Sequence, residues 1–245
     1  MNKANQEMTM MYWSLKAVIG FVAFALVMSA STAFADQAYL EFHGGSFDTA
    51  DSGYVNMIGD EPASTGPGVV LGFEPAAIDG LRLIALYGSD HFNENRFARE
   101  LTVEWGRQRV MAGADYRLAV IGDRVKPMAR LAFGYAYQSL GLEAESREYR
   151  DTNHGLIGTA AGGLEATIFD SSQADTGILS HLSFGVNLLF GYSWQTEASF
   201  DSMQSQDAPE EPDDDDPWRR ADYDAGSMHL HGMTINFGLM MQYQF

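Results

Sequence analysis

The sequence predicts an all-β fold, an antiparallel up-and-down transmembrane β-barrel of about eight strands. Apolar residues alternate with polar or small ones in several segments, and the connections predicted between these segments alternate between short and long. After residue 35 no segment has the roughly 20 consecutive apolar residues that a spanning helix needs. A membrane barrel produces this pattern because lipid-facing and interior side chains alternate along each strand.

The first 35 residues have the features of a leader for export. A pair of lysines precedes a short apolar run at 17–28, and the small-x-small triplet 33–35 follows. These features predict a signal peptide at 1–35, cleaved after Ala35, and export through the periplasm. An uncleaved anchor helix is the alternative, but the apolar run is too short to span a membrane. One mature domain, 36–245, is expected because no Pro-rich or Ser/Gly-rich linker divides it.

Composition excludes several classes of cofactor and partner. The chain has no cysteine, which rules out disulfides, thiolate metal sites and lipidation of a cysteine at the cleavage site. Its net charge of -18 argues against nucleic acid, whose phosphates require a basic surface. We therefore expect no cofactor and no nucleic acid, and any charged partner is expected to be cationic.

The last strand has the clearest alternation. Its apolar face consists of Met233, Ile235, Phe237, Leu239, Met241, Tyr243 and Phe245. The residues between them are mostly polar or small, and a period of two over this length predicts a β-strand with one apolar face. Segments 128–137 and 181–194 show the same alternation, which a helix would scatter around its axis.

Five weaker segments bring the expected number of strands to about eight, an even number as in bacterial single-chain barrels. They are 38–45, 68–76, 81–89, 99–118 and 156–168. Within 99–118 the apolar phase of Leu101, Val103 and Trp105 does not match that of 110–118. A bulge, or a strand that rises well above the membrane, would reconcile the two phases. A turn at 106–109 would instead add a strand.

The connections between the predicted strands differ in length. Short ones at 77–80, 121–124 and 170–176 alternate with mostly longer ones at 47–67, 90–98, 139–153 and 195–227. This matches short periplasmic turns and long extracellular loops. Aromatic residues near strand ends are expected to form girdles at the membrane interfaces. They are Tyr39, Phe73, Tyr87, Phe92, Trp105, Tyr116, Trp194 and Tyr243.

From Asp36 to Phe245 the chain resembles the small eight-stranded outer-membrane barrels, the group that contains the membrane domain of outer membrane protein A. The resemblance rests on the architecture and on the alternating last strand that ends in Phe. It implies an outer-membrane location and a terminal signal that the barrel-assembly machinery reads. That signal comprises Phe237, Leu239, Met241, Tyr243 and Phe245. No motif identifies a subfamily, so the resemblance assigns no functional residues.

Charged residues at inward-facing positions predict a network inside the barrel near its periplasmic end. They are Glu41, Glu74, Arg82, Asp115, Arg117, Arg130, Glu165 and His181. An eight-stranded barrel is only wide enough for side chains to fill, so these groups are expected to pair as a salt-bridged plug. Glu74 with Arg82, and Arg117 and Arg130 near Asp115, are the expected groupings. A gate for ions or protons is the alternative role.

An enzymatic alternative comes from His181 and Ser183, which share a strand face and suggest nucleophilic hydrolysis, as in the lipid A deacylase barrels. The pair is expected to point inward at the periplasmic end, with Glu165 as the only carboxylate nearby. Both expectations disfavour an enzyme that acts on lipid. Asp90 and His91 similarly suggest a surface protease, but the barrel is too small for one.

The predicted extracellular loop 195–227 is strongly acidic. Between 201 and 224 it has ten acidic residues against two arginines, and four of the acids are consecutive: Asp213, Asp214, Asp215 and Asp216. Repulsion between like charges is expected to keep the loop extended and mobile. The four aspartates are candidate ligands for Ca²⁺ or Mg²⁺, which would bridge to anionic lipopolysaccharide or a partner. A solvated tail without a defined site is favoured, because the ligand spacing of a calcium loop is absent.

These features together predict a non-enzymatic outer-membrane protein with a plugged lumen and a structural or surface-interaction role. Its expected partners are outer-membrane lipid, lipopolysaccharide, the barrel-assembly machinery and divalent cations. A lipid A-modifying enzyme and a narrow ion or small-solute channel are the alternatives.

Overall fold

The fold is known from a computed structural model that describes most of the region after the predicted signal peptide. The described residues are 35–49, 63–96, 101–118, 124–144, 147–171, 181–200, 203–205, 222–223 and 226–245. This part of the chain contains no helix that is long and apolar enough to cross a membrane. The first strand begins at Ala35, so the rest of the predicted signal peptide lies outside the described residues.

Twelve strands make up nearly all of the described chain. In order they are β1 (Ala35–Asp48), β2 (Ala63–Pro75), β3 (Leu81–Arg96), β4 (Leu101–Arg117), β5 (Val125–Ala144), β6 (Arg147–Asp170), β7 (Leu182–Gln195), β8 (Ala198–Phe200), β9 (Met203–Ser205), β10 (Asp222–Tyr223), β11 (Gly226–Met228) and β12 (Gly232–Gln244). The long strands β1 to β7 and β12 pair antiparallel with their neighbours, and β12 pairs with both β7 and β1. The predicted eight-stranded up-and-down barrel is confirmed.

Strand β4 is continuous, which resolves the mismatch of phase in its sequence. It pairs with β3 and β5 from end to end without a register shift. Val103 and Trp105 face the interior and are 0% and 2% exposed, whereas Val110, on the opposite phase, is 63% exposed. The strand therefore extends beyond the belt of exposed apolar side chains on the outer face of the barrel, which we call the apolar belt. Neither a bulge nor a turn at 106–109 interrupts it.

Two segments predicted as loops, 90–98 and 139–153, are mostly strand. Strands β3 and β4 stay paired up to Arg96 and Leu101, and β5 and β6 up to Ala144 and Arg147. These two hairpins form what we call the protruding end of the barrel. The opposite, short-turn end contains the turn at 76–80, the start of β1 and the end of β12.

The chemistry of the two strand faces reverses between the belt and the protruding end. In β5 the outward residues Leu131, Phe133 and Tyr135 are apolar and exposed, as lipid contact requires. Further along, the exposed outward position is Ser139, and the inward residue Leu140 is buried. The loop prediction was wrong here because apolar residues inside and polar residues outside no longer match the pattern of a membrane strand.

The described ends of the acidic loop are folded. Strand β8 pairs with β11, β9 pairs with β10, and β9 also pairs with β6. Phe200, Met203 and Met228 are fully buried, so apolar residues on both sides of the acidic run anchor it to the barrel. The expectation of an extended loop was wrong for these ends, while Asp213 to Asp216 lie outside the described residues.

Candidate functional site: the barrel interior

The interior near the short-turn end contains what we call the inner charge cluster. Its charged members are Glu41, Glu74, Arg82, Asp115, Arg117, Arg130 and Glu165, each no more than 7% exposed. They come from six successive strands, β1 to β6, and strand alternation directs all of them inward. Seven of the eight residues that the sequence assigned to a lumen network therefore lie together.

Arg130 occupies the centre of the inner charge cluster. Its guanidinium donates to both oxygens of Asp115 at 2.7 and 2.9 Å, and to both oxygens of Glu41 at 3.2 and 2.7 Å. Glu41 also accepts a hydrogen bond from the Tyr39 hydroxyl, whose oxygen accepts one from Asn187 at 3.2 Å. A fork-shaped guanidinium suits such bidentate pairing, and pairing of this kind allows charges to remain buried.

Arg82 links the two sides of the cluster. Its two terminal nitrogens donate to one oxygen of Glu165, both at 3.2 Å, and one of them lies 3.5 Å from Asp115. The guanidinium also stacks over the Tyr39 ring, 3.6 Å from the centroid. Gln242 donates to the other oxygen of Glu165 at 2.9 Å, which ties the closing strand to this network.

Glu74 pairs with Arg117, so the predicted pair of Glu74 with Arg82 was wrong. Glu74 also accepts a hydrogen bond from the backbone N–H of Gly80 at 2.9 Å, which directs its carboxylate towards the turn. Gly80 has a φ of 79°, a conformation that favours glycine. Arg82 instead crosses the lumen, because Glu165 and Asp115 on other strands offer it two carboxylates.

His181 is the predicted network residue that lies apart from the cluster. It is exposed and lines a cavity of about 110 Å³ at the short-turn end, with its ring 5.9 Å from that of Tyr243 between centroids. Ser183 and Asp170 line the same cavity. Asp170 is thus a carboxylate near the histidine and serine that the sequence analysis did not place there.

A second interior group, which we call the outer charge cluster, consists of Asp90, Arg107 and Arg109. Arg107 donates to Asp90 at 2.7 Å, and a terminal nitrogen of Arg109 lies 3.3 Å from the same carboxylate. Arg107 also donates to Gln195 at 3.3 Å and lies 4.3 Å from the centroid of the Phe47 ring. All three charged residues are buried, on the side of the inner cluster that faces the protruding end.

The outer charge cluster was not predicted, although the sequence contains a signal for it. Asp90 lies on the same period-two phase as Arg82, and Arg107 and Arg109 lie on the phase of Asp115. The strand containing Asp90 was predicted to end at Ser89, just before Asp90, although β3 continues to Arg96, and the reversal of chemistry in β4 obscured the phase of its arginines.

Apolar side chains fill the interior between and beyond the two charge clusters. Between them lie the apolar side chains of Val70, Ile84, Leu86 and Met111 together with the buried imidazole of His43, whose Nδ1 is 3.6 Å from Glu41. A larger apolar cluster fills the protruding end and includes the buried residues of β8 and β11. It consists of Phe47, Phe92, Val103, Trp105, Leu140, Leu142, Tyr149, Ala198, Phe200, Met203, Met228 and Leu230.

Three aromatics predicted for the interfacial girdles are interior residues. Tyr39, Phe92 and Trp105 are at most 9% exposed, and the Trp105 ring nitrogen donates to Gln138 at 3.3 Å. The girdle prediction was wrong for them because position near a strand end does not specify which face the side chain occupies. Tyr116 and Trp194, in contrast, lie on the outer face with the other exposed aromatics.

The outer face of the barrel carries a belt of large apolar side chains. On β12, Phe237 and Leu239 are 52% and 58% exposed, and Met241 and Tyr243 are half-buried on the same face; Phe245, just after the strand, is also exposed. A continuous exposed apolar surface around a closed sheet is suited to lipid rather than to water. The fold is that of a small transmembrane β-barrel.

Comparisons with known proteins found similar structures but no similar sequence. No family model matches the chain, and no curated protein matches it. The barrel is similar to Neisserial surface protein A, with 11% identity, a TM-score of 0.44 and coverage of 85% of this chain and 96% of that one. Ail, the attachment invasion locus protein of Yersinia pestis, has 9% identity, a TM-score of 0.43 and coverage of 86% and 99%. The N-terminal β-barrel domain of OprF from Pseudomonas aeruginosa has 11% identity, a TM-score of 0.37 and the same coverage.

Metal ligands were expected in the acidic run, and Asp213, Asp214, Asp215 and Asp216 lie outside the described residues. Within the described part of the chain, no group of three histidine, aspartate or glutamate side chains is placed so that it could hold a metal ion. The Ca²⁺ or Mg²⁺ site therefore stays a prediction.

Proposed function

We propose that this chain is a non-enzymatic outer-membrane protein with a plugged barrel and a structural or surface-interaction role. In this proposal the barrel supports a folded extracellular part, which consists of the protruding end and the short strands β8 to β11. The single observation that carries the proposal is the filled interior. Side chains from β1 to β6 build two charge clusters, a mostly apolar layer lies between them, and a larger apolar cluster fills the protruding end. The short-turn end would face the periplasm and the protruding end the exterior.

A continuous water path for ions is not expected through such an interior. An ion that moved along the axis would leave water at the layer between the clusters, where Ile84, Leu86 and Met111 offer it no ligand and His43 already lies 3.6 Å from Glu41. Taking an unpaired ion out of water costs several kcal/mol even in a relaxed protein. In the charge clusters on either side, the carboxylates and guanidinium groups already pair with one another. They therefore offer few free ligands to a passing ion.

Conductance in planar lipid bilayers tests the plug. The folded protein should show no resolved openings, and it should remain silent when Met111 is replaced by leucine, which preserves an apolar layer. Met111→Asp is the matched variant expected to admit water and produce openings or leak. Resolved openings of the unaltered protein that persist when Arg82 and Arg130 are neutralised would refute the plugged lumen.

Mass spectrometry of lipid A separates this proposal from the enzymatic alternative. Cells that produce the protein should have the same lipid A acyl pattern as cells without it. A change in acylation that disappears in Ser183→Ala or His181→Ala, two residues of the cavity at the short-turn end, would establish the enzyme instead.

The absence of cysteine makes the orientation directly measurable. Ser139→Cys places a thiol on the outer face of the protruding end, and Asp79→Cys places one in the exposed turn at the opposite end. In intact cells a membrane-impermeant maleimide should label the first and leave the second unlabelled until the outer membrane is opened. The reverse result would invert the proposed orientation.

A further inference from the structure

The cavity at the short-turn end forms the mouth of the barrel interior. Its walls come from β1, β5, β6 and β12 and from the start of β7. The residues that line it are polar apart from Leu182. A volume of about 110 Å³ has room for several water molecules or for one small polar ligand.

Lys126, which lines this cavity, is left without a partner by the inner charge cluster. It lies across from Glu165 in the register of β5 and β6, but both oxygens of that carboxylate are already occupied. Arg82 binds one oxygen, while Gln242 and Arg117 lie 2.9 and 3.7 Å from the other. Within the described chain the Lys126 ammonium has neither an ion pair nor a hydrogen bond, although the residue is half-buried. A half-buried cation without a counterion favours the uptake of an anion.

A bulge near the end of β6 shapes one wall of the cavity. The register with β7 shifts between Thr167 and Phe169, so Thr167 and Asp170 both line the cavity while Phe169 is exposed on the outer face. Ser171 then fixes the start of β7. The Leu182 N–H donates to the Ser171 hydroxyl oxygen at 3.1 Å, and this hydroxyl donates to the Leu182 carbonyl. The wall is therefore preformed, which reduces the entropy that binding must overcome.

We propose that the mouth of the barrel binds a small carboxylate, with Lys126 as its counterion. The side-chain amides of Gln37 and Gln244 line the same cavity and can donate to carboxylate oxygens. The exposed carboxylate of Asp170 lines it too, so a singly charged ligand is favoured over phosphate, which carries about two negative charges at pH 7. A free small acid and the carboxyl terminus of a peptide both supply this chemistry. The inference rests on the proposed function only for the direction of access, because the short-turn end must face the periplasm for the ligand to come from there.

Nuclear magnetic resonance of the folded chain in detergent, with ¹⁵N in the glutamine side-chain amides, tests the site. Acetate is the probe, and chloride keeps the ionic strength constant during the titration. We expect saturable shifts of the Gln37 and Gln244 amide signals with acetate, and weaker binding of inorganic phosphate. Absence of a saturable shift with acetate would overturn the proposal.

Charge variants separate a site at Lys126 from a general attraction of anions. Lys126→Gln should weaken acetate binding by about tenfold or more, whereas Lys126→Arg should retain it. Arg124→Gln is the matched control, because Arg124 is exposed at the same end of β5 and does not line the cavity, and its effect should stay within about twofold. Asp170→Asn should strengthen phosphate binding by about threefold or more. Equal effects of Lys126→Gln and Arg124→Gln, with electrophoresis of unboiled samples showing that both fold, would overturn the proposal.

A short peptide distinguishes the two sources of the carboxylate. Binding of N-acetylated tri-alanine about tenfold or more tighter than acetate would assign the site to peptide termini, and equal binding would assign it to free small acids. An amidated form of the peptide that binds as tightly as the free acid would overturn the proposal. The titration in detergent does not depend on orientation in the membrane, so its failure would leave the proposed function in place. Inverted maleimide labelling would instead refute the proposed orientation without affecting acetate binding.

Discussion

Arg130 shows at the scale of one residue why buried charge is compatible with this barrel. Its guanidinium satisfies Asp115 and Glu41 at the same time, and both carboxylates are fully buried. Removing the arginine would leave Glu41 without its guanidinium partner, whereas Asp115 would keep only the weaker contact with Arg82 at 3.5 Å. The cost of an uncompensated buried charge exceeds the gain from the original pair, because desolvation is no longer offset.

We therefore expect Arg130→Met to lower the free energy of unfolding by about 3–5 kcal/mol. Arg150→Met is the matched control, because Arg150 lies 3.9 Å from Glu104 and both side chains are more than half exposed, so solvent screens the pair. Its loss should cost less than about 1 kcal/mol. Urea unfolding in lipid vesicles, followed by tryptophan fluorescence, measures both. Equal effects of the two substitutions would contradict a structural role for the inner charge cluster.

At the scale of elements, one contact on the outer face joins three neighbouring strands. Phe133 on β5, Gly158 on β6 and Trp194 on β7 are in register, and the rings of Phe133 and Trp194 meet edge to face with centroids 5.6 Å apart. Gly158 lies beneath the Trp194 ring, so a Cβ atom there would collide with the indole. The glycine thus permits an aromatic contact between strands that are not adjacent.

Gly158→Val should displace Trp194 and cost about 1–3 kcal/mol, the usual range for overpacking. Gly162→Ala on the same strand is the control, because a Cβ there would meet only the Met128 carbonyl oxygen, at 3.9 Å. We expect its effect to stay within about 0.5 kcal/mol. Urea titration gives both values, and near-ultraviolet circular dichroism should lose the Trp194 signal only in the valine variant. A neutral Gly158→Val would contradict the contact.

The reversal of face chemistry along β4 also leads to a measurement at this scale. Trp105 lies in the interior of the protruding end, whereas Trp194 lies on the outer face. In mature chains that retain one of these tryptophans, with the others replaced by phenylalanine, brominated lipids should quench Trp194 strongly and Trp105 little. Quenching of Trp105 to the same extent would mean that β4 does not rise above the membrane as an inward-packed strand.

At the scale of the whole molecule, the two charge clusters together are neutral although the chain is strongly acidic. The two charge clusters contain five carboxylates and five arginines, all buried. The net charge of -18 therefore belongs to residues outside the clusters. A balanced interior avoids uncompensated charge in a low-dielectric environment, while external carboxylates remain hydrated and can attract cations.

Because every long strand is paired on both edges, the barrel should unfold only as a unit. We expect the unboiled protein to migrate differently from the boiled protein in denaturing electrophoresis, with a single transition between the two bands on heating. Absence of a shift, or recovery of the mature chain as a soluble monomer without detergent, would contradict a closed membrane barrel.

From the sequence alone follow a barrel of about eight strands, the outward face of β12 and the membership of most of the inner charge cluster. Period-two alternation is a local property, because successive side chains on any strand point to opposite faces. Phe237 and Leu239 therefore identify the lipid face, and Arg82, Asp115 and Arg130 the interior face, without knowledge of their neighbours.

Two features depend on the tertiary structure: which charges pair, and at which residue along a strand the outer face stops being apolar and lipid-facing. Arg82 pairs across the lumen with Glu165 on β6, a contact set by barrel closure rather than by sequence distance. Leu140 faces inward and Ser139 outward because the strand has left the lipid and the protruding end has its own apolar core. Along one strand, the outer face contacts lipid in the apolar belt and water at the protruding end, while side chains alternate in the same way throughout. Only the packing around a residue shows which of the two its outer face contacts.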